Sequence, residues 1–188
     1  DELGITDREA RDKVLYTIKG TQWNLGMTLS AAIGQGQNSF TPLQMANYIA
    51  TLVNGGTRYR PHLMKEIDTY DGKMVTKSHP EVLDRLDFNK EYVDYIKEGM
   101  RAVTEMGGTA SGTFSNYPVP IGGKTGSAQR PPYKAYGWFV GFAPYEKPEI
   151  AVAVVIYEAG SGSYTAHAAK NIFDAYFDLD EPKQDKTK

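Results

Sequence analysis

The 188-residue chain contains no cysteine. That excludes disulfides, thiolate zinc sites and a cysteine nucleophile, while leaving the cellular compartment open. Histidine is scarce. His62, His79 and His167 are scattered and lack any H-E-x-x-H spacing, so each reads as a surface or packing residue and no metal or other cofactor is expected. A charge excess is also lacking. The net charge is −2 and there is no basic stripe, which argues against a nucleic-acid footprint. Long apolar runs are absent as well. The longest, Ile150 to Tyr157, falls far short of the roughly 20 residues that cross a bilayer. No signal peptide is visible. The chain opens Asp1-Glu2-Leu3-Gly4 without an initiator Met, which reads as a processing boundary with room for a targeting segment upstream. No internal repeat is found.

What is present is ordinary globular composition, 40% hydrophobic and 23% charged, enough for one domain with a core. That domain is expected over residues 1–179, followed by a charged, disordered tail over 180–188. Thr6 or Asp7 caps a short helix through Leu15. Gly20 to Gln37, with Gly20, Gly26, Gly34 and Gly36, reads as loops around a short apolar piece. Thr41 to Asn54 is a helix: Thr41 suits the N-cap and Pro42 the first helical position. Leu43, Ala46, Ile49, Ala50 and Val53 recur at helical spacing, and Gly55-Gly56 ends the run. Tyr59 to Ile67 reads as extended, with Pro61 confining it to an edge. Asp71-Gly72 predicts a hairpin between Glu66–Tyr70 and Lys73–Lys77. A second helix spans about Asn89 to Glu105, with Val93, Ile96, Met100 and Val103 as its buried stripe and Gly107-Gly108 as its stop.

The last third changes period. Strands are expected over Ile121 to Gln129, Ala135 to Ala143 and Glu149 to Glu158, joined by links short enough to require antiparallel pairing. In the middle strand, Tyr136, Trp138, Val140 and Phe142 share one face. Gly137, Phe139, Gly141 and Ala143 share the other, where glycines leave room for a helix. The third strand is apolar on both faces and should be covered on both. A final helix from about Thr165 to Asp178 offers Ala166, Ala169, Ile172, Phe173 and Tyr176 to the sheet. Gly160-Ser161-Gly162-Ser163 before it reads as a flexible loop.

The string that carries chemistry is Gly122-Gly123-Lys124-Thr125-Gly126-Ser127-Ala128-Gln129. A phosphate-binding loop, G-x-x-x-x-G-K-[ST], fits Gly123-Lys124-Thr125 but needs glycine where Pro118 stands. It also needs a helix immediately afterwards, where Gly126 and Pro131-Pro132 follow instead. A Lys-Thr-Gly element on a strand that lines a cleft is the better reading. The Lys124 ammonium makes such a site positive and favours a ligand that ends in a carboxylate. Hydroxyls of Thr125 and Ser127 can donate to that carboxylate. Gly126 lets a ligand backbone approach, and the ligand can then pair with the strand edge. Alternation puts Lys124 and Thr125 on opposite faces, so both serve one site only along an open edge. The bland alternative is a surface turn, since a lone Lys-Thr-Gly arises easily by chance.

The string does not stand alone. Ala32-Ile33-Gly34-Gln35-Gly36-Gln37, Phe40-Thr41-Pro42-Leu43-Gln44-Met45-Ala46, Asn54-Gly55-Gly56 and Arg60-Pro61-His62-Leu63 precede it. Gly99-Met100-Arg101-Ala102-Val103 and Gly108-Thr109-Ala110 come next, then Gly123 to Gln129 and Gly137 to Pro144. In this order the set resembles the C-terminal part of the transpeptidase domain of class B penicillin-binding proteins, over roughly residues 30–175 and closest in type to those called penicillin-binding protein 2.

The resemblance implies an α/β fold of α+β type, β-lactamase/transpeptidase-like, with antiparallel strands and a C-terminal helix packed on the sheet. It implies a D,D-transpeptidase that acylates a serine with a D-Ala-D-Ala stem peptide, expels the terminal D-Ala, passes the acyl group to an amine of a neighbouring stem, and is trapped by β-lactams. Lys124 would polarise the site and help proton transfer. Lys124, Thr125, Gly126 and Ser127 would bind substrate, and the Ser127 N–H would be an oxyanion-hole donor. The family usually carries Thr where this chain has Ser127. The resemblance further implies a membrane-anchored parent at the extracytoplasmic face, working with the elongation or division machinery.

One departure is large. None of Ser30, Ser39, Ser78, Ser111, Ser115, Ser127, Ser161 and Ser163 has Lys three residues on, so the family's Ser-x-x-Lys nucleophile is absent, as is Ser-x-Asn. Both elements, with the first two strands of the family's sheet, are expected upstream, and the chain alone is expected to be inert. A β-lactamase or D,D-carboxypeptidase of the same superfamily, and a non-catalytic β-lactam sensor or interaction module, are the competing readings.

Overall fold

A computed structural model describes residues 23–36 and 38–179. The chain divides into one unit ending at Ser39 and a larger one beginning at Phe40. In the first, helix α1 (Leu25–Ala32) corrects the expectation of loops there. The Asn24 side chain caps it by accepting the Met27 N–H at 3.0 Å, and Trp23 Nε1 donates to Thr28 Oγ1 at 2.8 Å. The scattered glycines hid this helix. Gly26 sits in its first turn, and Gly34 follows its end with φ 74°. The helix expected before Leu15, the Gly20 and Gln37 positions and the charged tail lie outside the described residues.

The larger unit is built on a three-stranded antiparallel sheet, β5 (Gly122–Arg130), β6 (Tyr133–Ala143) and β7 (Ile150–Ile156), in that order. The expected strands and their antiparallel pairing are all found. Gly123 lies opposite Gly141, Thr125 opposite Phe139, and Phe139 opposite Val154. Side chains alternate along β6, so its two faces feed two cores. Phe139 and Ala143 join Val152, Phe114 and the α5 residues (Gly162–Tyr176) Ala166, Ala169 and Phe173. Val140 and Phe142 join Ile49 and Leu52 of α2 (Pro42–Val53) and Met100 of α3 (Lys90–Thr104). Phe139, Phe142 and Phe173 are fully buried, each contributing about 1.5–3 kcal/mol by leaving water. Helices on both faces thus cover β7 on both sides, as its apolar pattern demands.

Helix α2 starts with a reciprocal cap. Thr41 Oγ1 accepts the Gln44 N–H at 3.2 Å, and Gln44 Oε1 accepts the Thr41 N–H at 2.8 Å. Pairing of this kind satisfies two orphan donors at once. Three expected stripe residues are corrected. Ile96 of α3 is exposed, and burial on that helix is carried by Met100 and Thr104. On α5, Ile172 and Tyr176 are exposed while Ala166, Ala169 and Phe173 are buried. A helix meeting a sheet along one line buries a narrower stripe than periodicity alone marks.

Between α2 and α3 lie two small strand pairs. The predicted hairpin forms from β2 (Glu66–Asp68) and β3 (Met74–Lys77). The extended segment expected from Tyr59 to Ile67 is interrupted: β1 (Thr57–Tyr59) stops before Pro61 and pairs with β4 (Val82–Arg85). The sequence reading did not mark β4. Its pair with β1 is clamped by Arg60, whose Nε and Nη2 reach Glu81 at 2.6 and 3.1 Å. This bond holds the Glu81 carboxyl below its ordinary range.

Candidate active site

β5 ends the sheet order, so one of its long edges has no strand partner among the described residues. The sequence-predicted residues Lys124, Thr125, Gly126 and Ser127 all sit on this strand. Lys124 and Ser127 are exposed, while Thr125 and Gly126 are half-buried. Lys124 lies opposite Val140 and Thr125 opposite Phe139, so alternation does place them on opposite faces. Lys124 Nζ nevertheless donates to the Thr125 carbonyl oxygen at 2.7 Å. That contact keeps the ammonium beside the neighbouring residue of the same strand.

Local sequence explains why the strand stays close to its neighbour. A Cβ on Gly123 would fall 2.5 Å from the Phe139 ring, and one on Gly122 would fall 2.5 Å from the Phe142 ring. These glycines let two phenylalanines of β6 slide under β5. The strand root is fixed from below by α3: Thr104 Oγ1 donates to the Ile121 carbonyl oxygen at 2.6 Å, and Arg101 Nη1 reaches the same oxygen at 3.3 Å.

Two contacts bring in residues that sequence reasoning did not assign to the site. Thr109 Oγ1 lies 2.7 Å from Thr125 Oγ1. Its turn follows α3, where Gly107 takes φ 87° and Ala110 N–H donates back to the Val103 carbonyl at 2.9 Å. A Cβ on Gly108 would collide with the Val103 carbonyl oxygen at 2.2 Å, so this tight return requires glycine. From the other side, Gly162 N–H donates to Ser127 Oγ at 3.3 Å. Gly160 to Ser163, expected as a flexible loop, is therefore corrected: Ser161 is the N-cap of α5, and Gly162 opens the helix buried against β5. A clue was available, because Ser161 is a good N-cap residue immediately before an apolar-periodic run.

The three histidines do not enter this site. His62 is exposed and contacts the nearby Arg60 carbonyl, exposed His167 lies 3.4 Å from the Thr113 hydroxyl, and His79 is exposed. Among the described residues, no group of three His, Asp or Glu side chains is placed to hold a metal ion.

The geometry defines a cationic, hydroxyl-bearing open strand edge on a mixed α/β fold. The family model "Penicillin binding protein transpeptidase domain" matches residues 13–178. Penicillin-binding protein 2A of Bacillus subtilis is 35% identical over 89% of this chain and 26% of its own length. Peptidoglycan D,D-transpeptidase MrdA of Haemophilus influenzae is 33% identical over 87% of this chain and 28% of its own length. A crystal structure of Pseudomonas aeruginosa PBP2 in complex with WCK 5153 superposes with a TM-score of 0.68, at 34% identity over 92% of this chain and 37% of that one. The chain belongs to the penicillin-binding protein transpeptidase family. It spans about a quarter of the length of the two curated relatives, 26% and 28%. Its antiparallel sheet with helices on both faces is the β-lactamase/transpeptidase-like fold. Among the described residues, no helix is long and apolar enough to cross a membrane.

Proposed function

We propose that this chain is the substrate-binding part of a peptidoglycan D,D-transpeptidase, and that it is inert without a nucleophile supplied from outside residues 1–188. The observation that carries this is the open edge of β5, with Lys124, Thr125, Gly126 and Ser127 along it. A stem peptide ending in D-Ala-D-Ala would add to that edge as a further strand. Its terminal carboxylate would meet the Lys124 ammonium and the Thr125 and Ser127 hydroxyls, and charge-assisted bonds of this kind are about twice as strong as neutral ones. Lys124 would also help move the proton of an attacking serine.

The Ser127 N–H would be one of two donors to the oxyanion formed when that serine adds to the carbonyl. Losing such a donor typically raises a barrier by about 2.7–4 kcal/mol. β-Lactams would enter as mimics of the dipeptide and stay as acyl esters. The likeness to MrdA and PBP2 supports a place on the extracytoplasmic face of the membrane, held by an upstream anchor, alongside wall-elongation or division machinery.

The test is covalent labelling by a fluorescent penicillin. The 188-residue chain should remain unlabelled on a denaturing gel. The protein containing both this chain and an upstream Ser-x-x-Lys should label, and should lose most labelling in Thr125→Val. Labelling of the isolated chain would overturn the claim that its nucleophile lies elsewhere.

A further inference from the structure

Helix α5 meets β5 at a single glycine. A Cβ on Gly162 would stand 2.4 Å from the Gly126 carbonyl oxygen, 2.7 Å from Gly126 N and 2.7 Å from the Trp138 carbonyl oxygen. All three are backbone atoms that cannot swing aside, so any side chain at 162 forces helix and strand apart. The fit continues one strand over. A Cβ on Gly137 would lie 2.5 Å from Thr165 Oγ1 and 2.7 Å from the Ser161 carbonyl oxygen. The first turn of α5 is thus seated in a notch cut by glycines of the sheet. Ser161 caps that turn by accepting the Ser163 N–H at 3.3 Å, and the Gly162 N–H is aimed at Ser127 Oγ.

We infer that Gly162 is a positioning residue for ligand carboxylates. Its missing side chain seats the α5 N-terminus on Gly126 and Ser127, so that a helix N–H fixes the Ser127 hydroxyl oxygen. This rests on the transpeptidase reading of β5 and assigns it a residue 35 positions away from Ser127 in the chain. A purely structural glycine at this place would affect every ligand alike. A positioning one affects ligands that carry the carboxylate.

The experiment measures second-order acylation of the nucleophile-bearing protein by benzylpenicillin and by its methyl ester. In Gly162→Ala the rate with the acid should fall about tenfold, and with the ester about twofold or less, matching the loss of one well-placed bond to a charged group. Ser127→Ala should collapse the acid-to-ester ratio in the same way, and adding Gly162→Ala to it should change that ratio no further. Equal losses for acid and ester, or fully additive losses in the double variant, would overturn the inference. Should Gly162→Ala fail to melt cooperatively, Ser161→Ala takes its place, fraying the first turn without adding bulk. An acid-to-ester ratio reduced by about threefold supports the inference, and an unchanged ratio overturns it. If the unsubstituted protein is not acylated at all, the transpeptidase reading fails and this inference with it.

Discussion

The hydroxyls of Thr109 and Thr125 lie 2.7 Å apart, one on the turn after α3 and the other on the open strand β5. This pair fixes the Thr125 rotamer from outside its own strand. Thr109→Val keeps the shape and removes the partner. Because the bond is exposed, we expect a stability loss of at most about 1 kcal/mol. Acylation by a penicillin in the nucleophile-bearing protein should slow by about three- to tenfold, measured alongside a melting temperature lowered by no more than about 2–4 °C. A rate equal to that of the unsubstituted protein would show that the turn does not support Thr125.

Thr165 poses the opposite case. It is fully buried on α5, and its Oγ1 finds no hydrogen-bond partner among the described residues. A buried hydroxyl without a partner bears a desolvation cost that an apolar group of the same shape avoids. Thr165→Val should therefore be neutral or stabilising by up to about 1 kcal/mol, raising the melting temperature by about 2–4 °C at most for a chain of this size. A clear drop in melting temperature would mean the hydroxyl is satisfied in solution.

An alkaline response is expected from Tyr145. Its ring stacks on Phe142 at 6.0 Å and lies under the Lys97 ammonium at 5.2 Å. Burial, reinforced by Glu146 and Glu98, pushes its hydroxyl above the ordinary value of 10.0. The folded state keeps this proton at pH values where the unfolded chain has released it. Folding stability is therefore present below that value and is lost as pH rises from it towards the folded pKa. Tyr145→Phe should lose less stability between neutral and alkaline pH than the unsubstituted chain, as read by denaturant melts on either side of about pH 10. Identical pH profiles would remove Tyr145 from the alkaline response.

Much of this arrangement was legible in the residues. The strands of the sheet follow from alternation and from the unbroken apolar run of β7, and α2 follows from Thr41-Pro42 at its start. Lys124 to Ser127 could be placed on a strand edge because Gly126 and Pro131-Pro132 forbid the helix that a phosphate loop would need. What escaped had a common cause. Composition treats glycine as loop chemistry, whereas Gly26 lies in a helix and Gly162 opens one. Periodicity likewise marks an apolar stripe without saying how wide the opposing surface is, which is why Ile96, Ile172 and Tyr176 end up exposed. Thr109 and Gly162 join the site only through contacts with residues distant in the chain, and no local pattern announces those.

The anchoring of β5 has a mechanical consequence. Thr104 and Arg101 grip the carbonyl of Ile121, immediately before the strand begins. Lys124 lies only three residues from this anchor, and pairing with β6 continues to the Arg130–Tyr133 pair. Cation and hydroxyls therefore ride on a strand held along its length and would keep their spacing as ligands of different bulk arrive.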